Sequence, residues 1–184
     1  MVLSQPELLF TFDEARFGLK SWYRRRWAPT GVRAPWPTDD RYQWLWLYAA
    51  VEPASGNCFF LTLPYVNSAC MNVFMKEMAN AFSDREILLV MDNAPSHTSG
   101  ALQWPKNIAG LHLPPYSPEL NPAERLFQEL REPLANEVFE DVDHLESRLT
   151  DTLRPYWETP KLITDIAGYP WLLNAVELCS HQDI

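Results

Sequence analysis

No stretch of this chain stays apolar long enough to cross a bilayer. The longest such run, Trp44 to Val51, falls far short of the ~20 residues a spanning helix needs. The opening residues, MVLSQPELLFTFDEA, have no basic segment and meet acids early, so no signal peptide is expected. Cysteine is scarce: Cys58, Cys70 and Cys179 are widely spaced, with no C-x-x-C pair. That predicts buried, reduced thiols in a cytosolic protein. The sequence also lacks a glycine-rich phosphate loop, a nucleophilic serine or cysteine motif, internal repeats and low-complexity segments. Membrane, zinc, phosphate-loop and covalent-nucleophile chemistry have nothing to stand on.

Positive charge is in short supply. The net charge of −9 argues against non-specific nucleic-acid binding by the whole surface. Its distribution is uneven. Residues 1–38 carry six Lys/Arg against three acids, whereas residues 119–184 carry five against fourteen. A basic front with an acidic tail fits a protein with one anion-facing side. Arg24, Arg25 and Arg26 are the densest basic cluster, and a solvated loop is the bland alternative for them. Trp22, Trp27 and Trp36 interleave with that cluster; they could stack on exposed bases, but loop packing is favoured.

What is present is a chain of one-domain length. Leu8–Phe12 reads as a short strand ending in Asp13-Glu14, Gln43–Val51 and Asn57–Leu63 as a hairpin, and Asn67–Phe82 as a helix. Glu86–Met91 is a fourth strand, Thr98–Trp104 a short helix and Ile108–Leu113 a fifth strand. Residues 121–136 and Asp141–Trp157 read as helices, with weaker helical character to the end. Hairpin-linked strands followed by alternating units predict an α/β fold with a mixed five-stranded sheet and helices on both faces. The first and fourth strands are expected at its middle, each delivering an acid to an edge. Such edges are where open α/β sheets place ligand chemistry.

The two acids are Asp13 and Asp92, and a third is expected from a helix starting nearby. In SPELNPAERLFQELR, residues 117–131, prolines 118 and 122 frame the entry and Asn121 can cap. Glu124 falls in the first turn, where the helix dipole tolerates negative charge. Each acid alone has a structural explanation as a turn, Asx or first-turn residue. Gathered together without a cation they would repel, whereas Mg²⁺ prefers such oxygen ligands and cleaves phosphodiesters in pairs.

FTFDEARFGL, LLVMDNAPSHTS and LPPYSPELNPAERLFQELR closely resemble the three blocks of DDE transposases of the mariner superfamily, in its bacterial insertion-sequence branch. The resemblance covers residues 8 to about 150. It implies an RNase H-like fold, with residues 151–184 as a C-terminal helical extension. It also implies DNA cleavage with strand transfer, using two Mg²⁺ or Mn²⁺ ions held by Asp13, Asp92 and Glu124. Glu14 and Glu119 are the plausible confusions; Glu14 should point to the opposite side if the strand continues. The 31 residues between Asp92 and Glu124 are slightly fewer than the family's usual spacing.

Asn93, His97 and Asn121 are expected in supporting roles beside the acids, and Arg24, Arg25 and Arg26 on phosphates. His112 reads as a satisfied core or edge histidine. The expected partners are DNA, both element ends and target, and a second copy of the chain. The usual N-terminal helix-turn-helix region is expected to be missing. That leaves room for a separate DNA-reading half or a full-length transposase as partner, with action at the bacterial nucleoid. A nuclease without strand transfer, or a non-catalytic remnant or regulator, are the rival readings.

Overall fold

The computed structural model describes residues 6–25, 27–32, 38–115, 117 and 120–174. The elements in chain order are β1 (Leu8–Gly18), β2 (Trp44–Val51), β3 (Cys58–Leu63), α1 (Ser68–Ala81), β4 (Ile87–Met91), α2 (Pro95–Thr98), β5 (Ile108–His112), α3 (Ala123–Arg131), α4 (Val142–Glu158) and α5 (Pro160–Ala167). The strands form one sheet in the order β3-β2-β1-β4-β5. β1 pairs antiparallel with β2 and parallel with β4, which in turn pairs parallel with β5. This is the mixed five-stranded sheet expected, with β1 at its centre and β4 beside it.

β1 is twice as long as its apolar run suggests. It was expected to stop at Asp13-Glu14; instead β2 pairs with it from Thr11↔Val51 to Gly18↔Trp44 and carries the strand through both acids. The apolar positions change parity at that point. Leu8, Phe10 and Phe12 pack on one face with Met71, Phe74, Met75 and Met78 of α1. Ala15, Phe17 and Leu19 pack on the other face with Leu126, Phe127 and Leu130 of α3 and Leu145, Leu149 and Leu153 of α4. Side chains alternate across a strand, so the switch leaves Asp13 on the α3 face and Glu14 on the α1 face.

The helices follow their apolar periodicity. Asn67 caps α1 by accepting from the Cys70 N–H at 2.8 Å, and Asp141 caps α4 by accepting from the His144 N–H at 2.8 Å. Two helices sit differently from expectation. α2 spans Pro95–Thr98, earlier than Thr98–Trp104, because Pro95 suits a first helical position. α3 ends at Arg131, although Leu134 beyond it stays buried. Cys58 and Cys70 are half-buried free thiols, less enclosed than expected; Cys179 lies outside the described residues, as do Trp36, Glu119 and the end of the expected C-terminal extension.

The β2–β3 turn closes through Gly56, whose φ is +83° and whose N–H donates to the Glu52 carbonyl at 3.0 Å. A Cβ there would lie 2.1 Å from the Pro160 carbonyl oxygen at the start of α5. Gly56→Ala is therefore expected to lower stability by more than about 1 kcal/mol. Urea unfolding checks this, and an unchanged midpoint would refute the close approach.

Candidate active site

β1 and β4 run parallel and are last paired at Thr11↔Val90. Asp13 and Asp92 each lie two residues past that pair, so parallel register alone brings them to one edge. β4 ends at Met91, which frees Asp92 to turn outward with its side chain 58% exposed. Asp13 remains in β1 opposite Ala49, half-buried and facing α3.

The third acid comes from the start of α3, where Glu124 occupies the first turn and is exposed. Asn121 sets its place. The buried Asn121 amide nitrogen donates to the Phe12 carbonyl at 2.9 Å, and its amide oxygen accepts from the Ala123 N–H at 3.2 Å. The residue preceding Asp13 is thus tied to the helix carrying Glu124. Asp13, Asp92 and Glu124 line one cleft of about 420 Å³, together with Asn93, Ser117 and Asn121.

Burial pushes the Asp13 carboxyl up to about 7, with the neighbouring charges of Glu14, Asp92 and Glu124 pushing the same way and the Glu14 N–H bond to its Oδ1 opposing them. The donors are carboxylate oxygens alone, the hard set that suits Mg²⁺ or Mn²⁺. Among the described residues, no three acid, His or Cys side chains are drawn close enough to grip a single ion together. The tighter cradle expected from the sequence is thus looser in this structure, as uncompensated anions require. Magnesium ordinarily takes only one or two protein carboxylates, the rest of its shell being water and substrate phosphate, so a shared cleft fits it.

His97 is the residue around which the site is organised on the other side. Its Nδ1 lies 2.7 Å from Asp92 Oδ1, and its Nε2 lies 3.0 and 3.1 Å from the two oxygens of Glu14. The His97 side chain is 1% exposed and that of Glu14 6%. Both ring nitrogens face carboxylates, so both bonds form only when the ring carries two N–H groups. Burial pushes the His97 pKa down most strongly, but Glu14 and Asp92 together outweigh it and hold the ring above its ordinary value. Asp92 Oδ1 also accepts from the Ala94 N–H at 2.9 Å, and Oδ2 takes no hydrogen bond from any described residue.

The remaining expectations divide. Asn93 donates to the Leu113 carbonyl at 2.6 Å, so it stitches the loops after β4 and β5 and does not touch an acid. His112 is an edge histidine whose Nδ1 lies 3.0 Å from the Asp92 carbonyl oxygen. Arg24 is paired with Glu132 and its N–H with Asn136 Oδ1; Arg25 is exposed; Arg26 lies outside the described residues. Trp22 and Trp27, expected to pack, are 58% and 103% exposed; an average tendency to be buried does not decide the particular loop that bears them. Glu14 does point to the opposite side of the sheet from Asp13, yet it reaches Asp92 through His97. Sequence reasoning discarded it as a neighbour of Asp13. The signal that would have kept it is the strand parity, which puts Glu14 on the same face as Phe12 and the loop bearing His97.

The chain belongs to the DDE superfamily endonucleases, whose family profile matches residues 8–146. Among curated proteins it is 32% identical, over 130 residues, to the uncharacterized protein y4pE/y4sA of Sinorhizobium fredii, covering 70% of this chain and 96% of that one. Among solved structures it is similar to the Mos1 strand transfer complex, with a TM-score of 0.60, 20% identity and 95% of this chain covered. It is also similar to the Mos1 mariner paired end complex with Mn, with a TM-score of 0.60, 18% identity and 96% covered. The fold is therefore that of a transposase catalytic domain, RNase H-like with added C-terminal helices. The chain spans 54% and 56% of those two Mos1 chains.

The raised Asp13 carboxyl makes a signed prediction for the metal-free protein. Its folded value of about 7 exceeds the ordinary 3.8, so the folded state holds the extra proton in that window and loses stability as pH rises through it. Asp13→Asn has no such proton to give up. The variant should gain on the wild type between about pH 4 and pH 7 and hold a constant advantage above; urea midpoints at stepped pH check this, and a pH-independent difference refutes it.

Proposed function

We propose that this chain is the catalytic part of a metal-dependent DNA transposase, which cleaves phosphodiester bonds and transfers a 3′-hydroxyl end to target DNA. The observation that carries the reading is the cleft itself: three carboxylates from β1, β4 and α3, one of them so buried that its pKa is pushed up to about 7. Asp13, Asp92 and Glu124 would hold Mg²⁺ or Mn²⁺. When bound, a pair of such ions supplies Lewis-acid activation of the attacking oxygen and stabilisation of the departing 3′-oxygen.

The protein's own part is to aim and discharge these acids. Asp13, whose pKa burial raises to about 7, would have to be ionised to hold the cation. Asp92 keeps Oδ1 on the Ala94 N–H and His97 and leaves Oδ2 outside both bonds. Glu14 holds the His97 ring on its far nitrogen, so the ring cannot swing away from Asp92. Asn121 keeps the Glu124 helix in step with β1. Three carboxylates therefore act at the reaction, and a fourth, Glu14, acts through histidine on one of them.

DNA as substrate, for both element ends and target, is supported by family membership and by the strand transfer complex to which the fold is similar. A dimer on DNA suits a reaction that joins two ends to one target. The chain covers about half of the two Mos1 chains it is similar to, so a DNA-reading part beyond these catalytic elements, or a full-length transposase as partner, belongs to the proposal. The site of action would be the bacterial nucleoid.

Two outcomes test the reading. Asp92→Asn should abolish Mn²⁺-dependent nicking of supercoiled plasmid while circular dichroism and melting stay those of a folded protein; retained nicking in a clean preparation refutes the assignment, and joined rather than merely nicked products separate a transposase from a nuclease. Glu14→Ala should weaken Mn²⁺ binding, followed by the electron paramagnetic resonance of the free ion, by about 10–100-fold, whereas Glu14→Gln, which still accepts from His97, should stay within a few-fold of the wild type. Equal behaviour of the two variants would remove Glu14 from the site.

A further inference from the structure

A second concave surface lies beyond the cleft, at the far end of β1, where residues of both strand parities meet α3. β1 runs from Asp13 into its wall at Arg16 and Lys20, and α3 runs from Glu124 to Arg131 at its floor. Three residues of strand at ~3.3 Å each and seven of helix at ~1.5 Å each put its near edge about 10 Å from the acids. The groove has a volume of about 580 Å³, and Arg131 is near enough to feel the charges of Asp13 and Glu124.

Its composition runs against the rest of the molecule. The chain has 24 acids against 15 Lys and Arg, yet Arg16, Lys20, Arg41 and Arg131 line the groove and no described acid does. Arg41 is committed to Asp39, with Nη2 at 2.5 Å from Oδ2, and to the carbonyls of Phe139 and Glu140. The other three form no salt bridge among the described residues. Each rests instead on an aromatic ring: Arg16 5.4 Å from Trp44, Lys20 5.1 Å from Tyr42, and Arg131 5.7 Å from Trp22. Those rings are themselves 40%, 74% and 58% exposed. Cations held in no salt bridge among the described residues, interleaved with exposed rings, suit a ligand that is both polyanionic and flat-faced.

We propose that this groove binds an unpaired stretch of the DNA strand leaving the cleft, with phosphates on Arg16, Lys20 and Arg131 and bases stacked on the exposed rings of Trp22, Tyr42 and Trp44. The proposal rests on DNA as the substrate. It moves phosphate recognition away from the Arg24 cluster, one member of which is already neutralised by Glu132, to cations that lead directly from the acids. Stacking on rings tolerates any base, so the groove confers affinity for unpaired strand and not sequence preference.

The test is fluorescence anisotropy of the full chain with a labelled 15-nucleotide oligodeoxythymidylate in EDTA, across a salt series. Arg16→Ala with Lys20→Ala should weaken binding by about tenfold or more at low salt and flatten the slope of log affinity against log salt by about 1.4, which is ~0.7 for each phosphate no longer neutralised. Trp22→Leu with Tyr42→Leu should weaken binding while leaving that slope unchanged, a separation that a general folding defect does not produce. Wild-type affinity and slope in the first double variant would overturn the groove, as would a wild type that fails to bind the oligonucleotide. Mn²⁺-dependent plasmid nicking assayed on the same wild-type preparation keeps the two readings apart: nicking without oligonucleotide binding overturns the groove alone, and absence of both overturns the DNA reading as well.

Discussion

Like charge brought together at the parallel edge of a sheet is the constraint on which this molecule turns. Parallel register between β1 and β4 carries Asp13 and Asp92 to one place, and α3 adds Glu124 to the same cleft. Carboxylates so placed repel one another, most of all where burial weakens water's screening. The structure answers with a raised Asp13 pKa, a histidine between Asp92 and Glu14 and a half-buried arginine, Arg131, within electrostatic reach. A divalent cation would do the same work more completely, which is why the cleft reads as a site and not as an accident of surface acids.

The parity switch in β1 is what lets one strand serve both faces. Up to Phe12 its apolar side chains meet α1, and from Ala15 onward they meet α3 and α4. Asp13 and Glu14 occupy the crossover, so adjacent residues send one carboxylate to the reaction cleft and the other to the underside of the site. A strand with uninterrupted alternation would bury one of them in a purely apolar layer, at a cost that an ionised group does not survive. Glu14 escapes that cost because His97 meets it there, 3.0 Å away.

Much of this was legible in the sequence, for reasons that differ from element to element. Apolar runs and caps marked all five strands and the longer helices, since Asn67 and Asp141 cap by local hydrogen bonds that need no tertiary partner. The three acids stood out through motif and spacing. The true length of β1 did not, because its second half is held by pairing with β2, a strand distant in sequence. The same blindness hid Glu14, whose value comes from a histidine 83 residues away. Trp22 and Trp27 were assigned to packing by their average tendency to be buried, which carries no information about the particular loop that bears them, where both are exposed. Asn93 lay beside the right acid and faced the wrong way, toward the Leu113 carbonyl.

Asn121 bears on how the spacing of the acids is held. Its two hydrogen bonds span β1 and the start of α3, so the distance from the first acid to the third is set across the sheet and not along the backbone alone. The place of Glu124 is then held by that bridge as well as by the chain that leads to it. The shortened interval between the second and third acids is accordingly compatible with all three lining a single cleft.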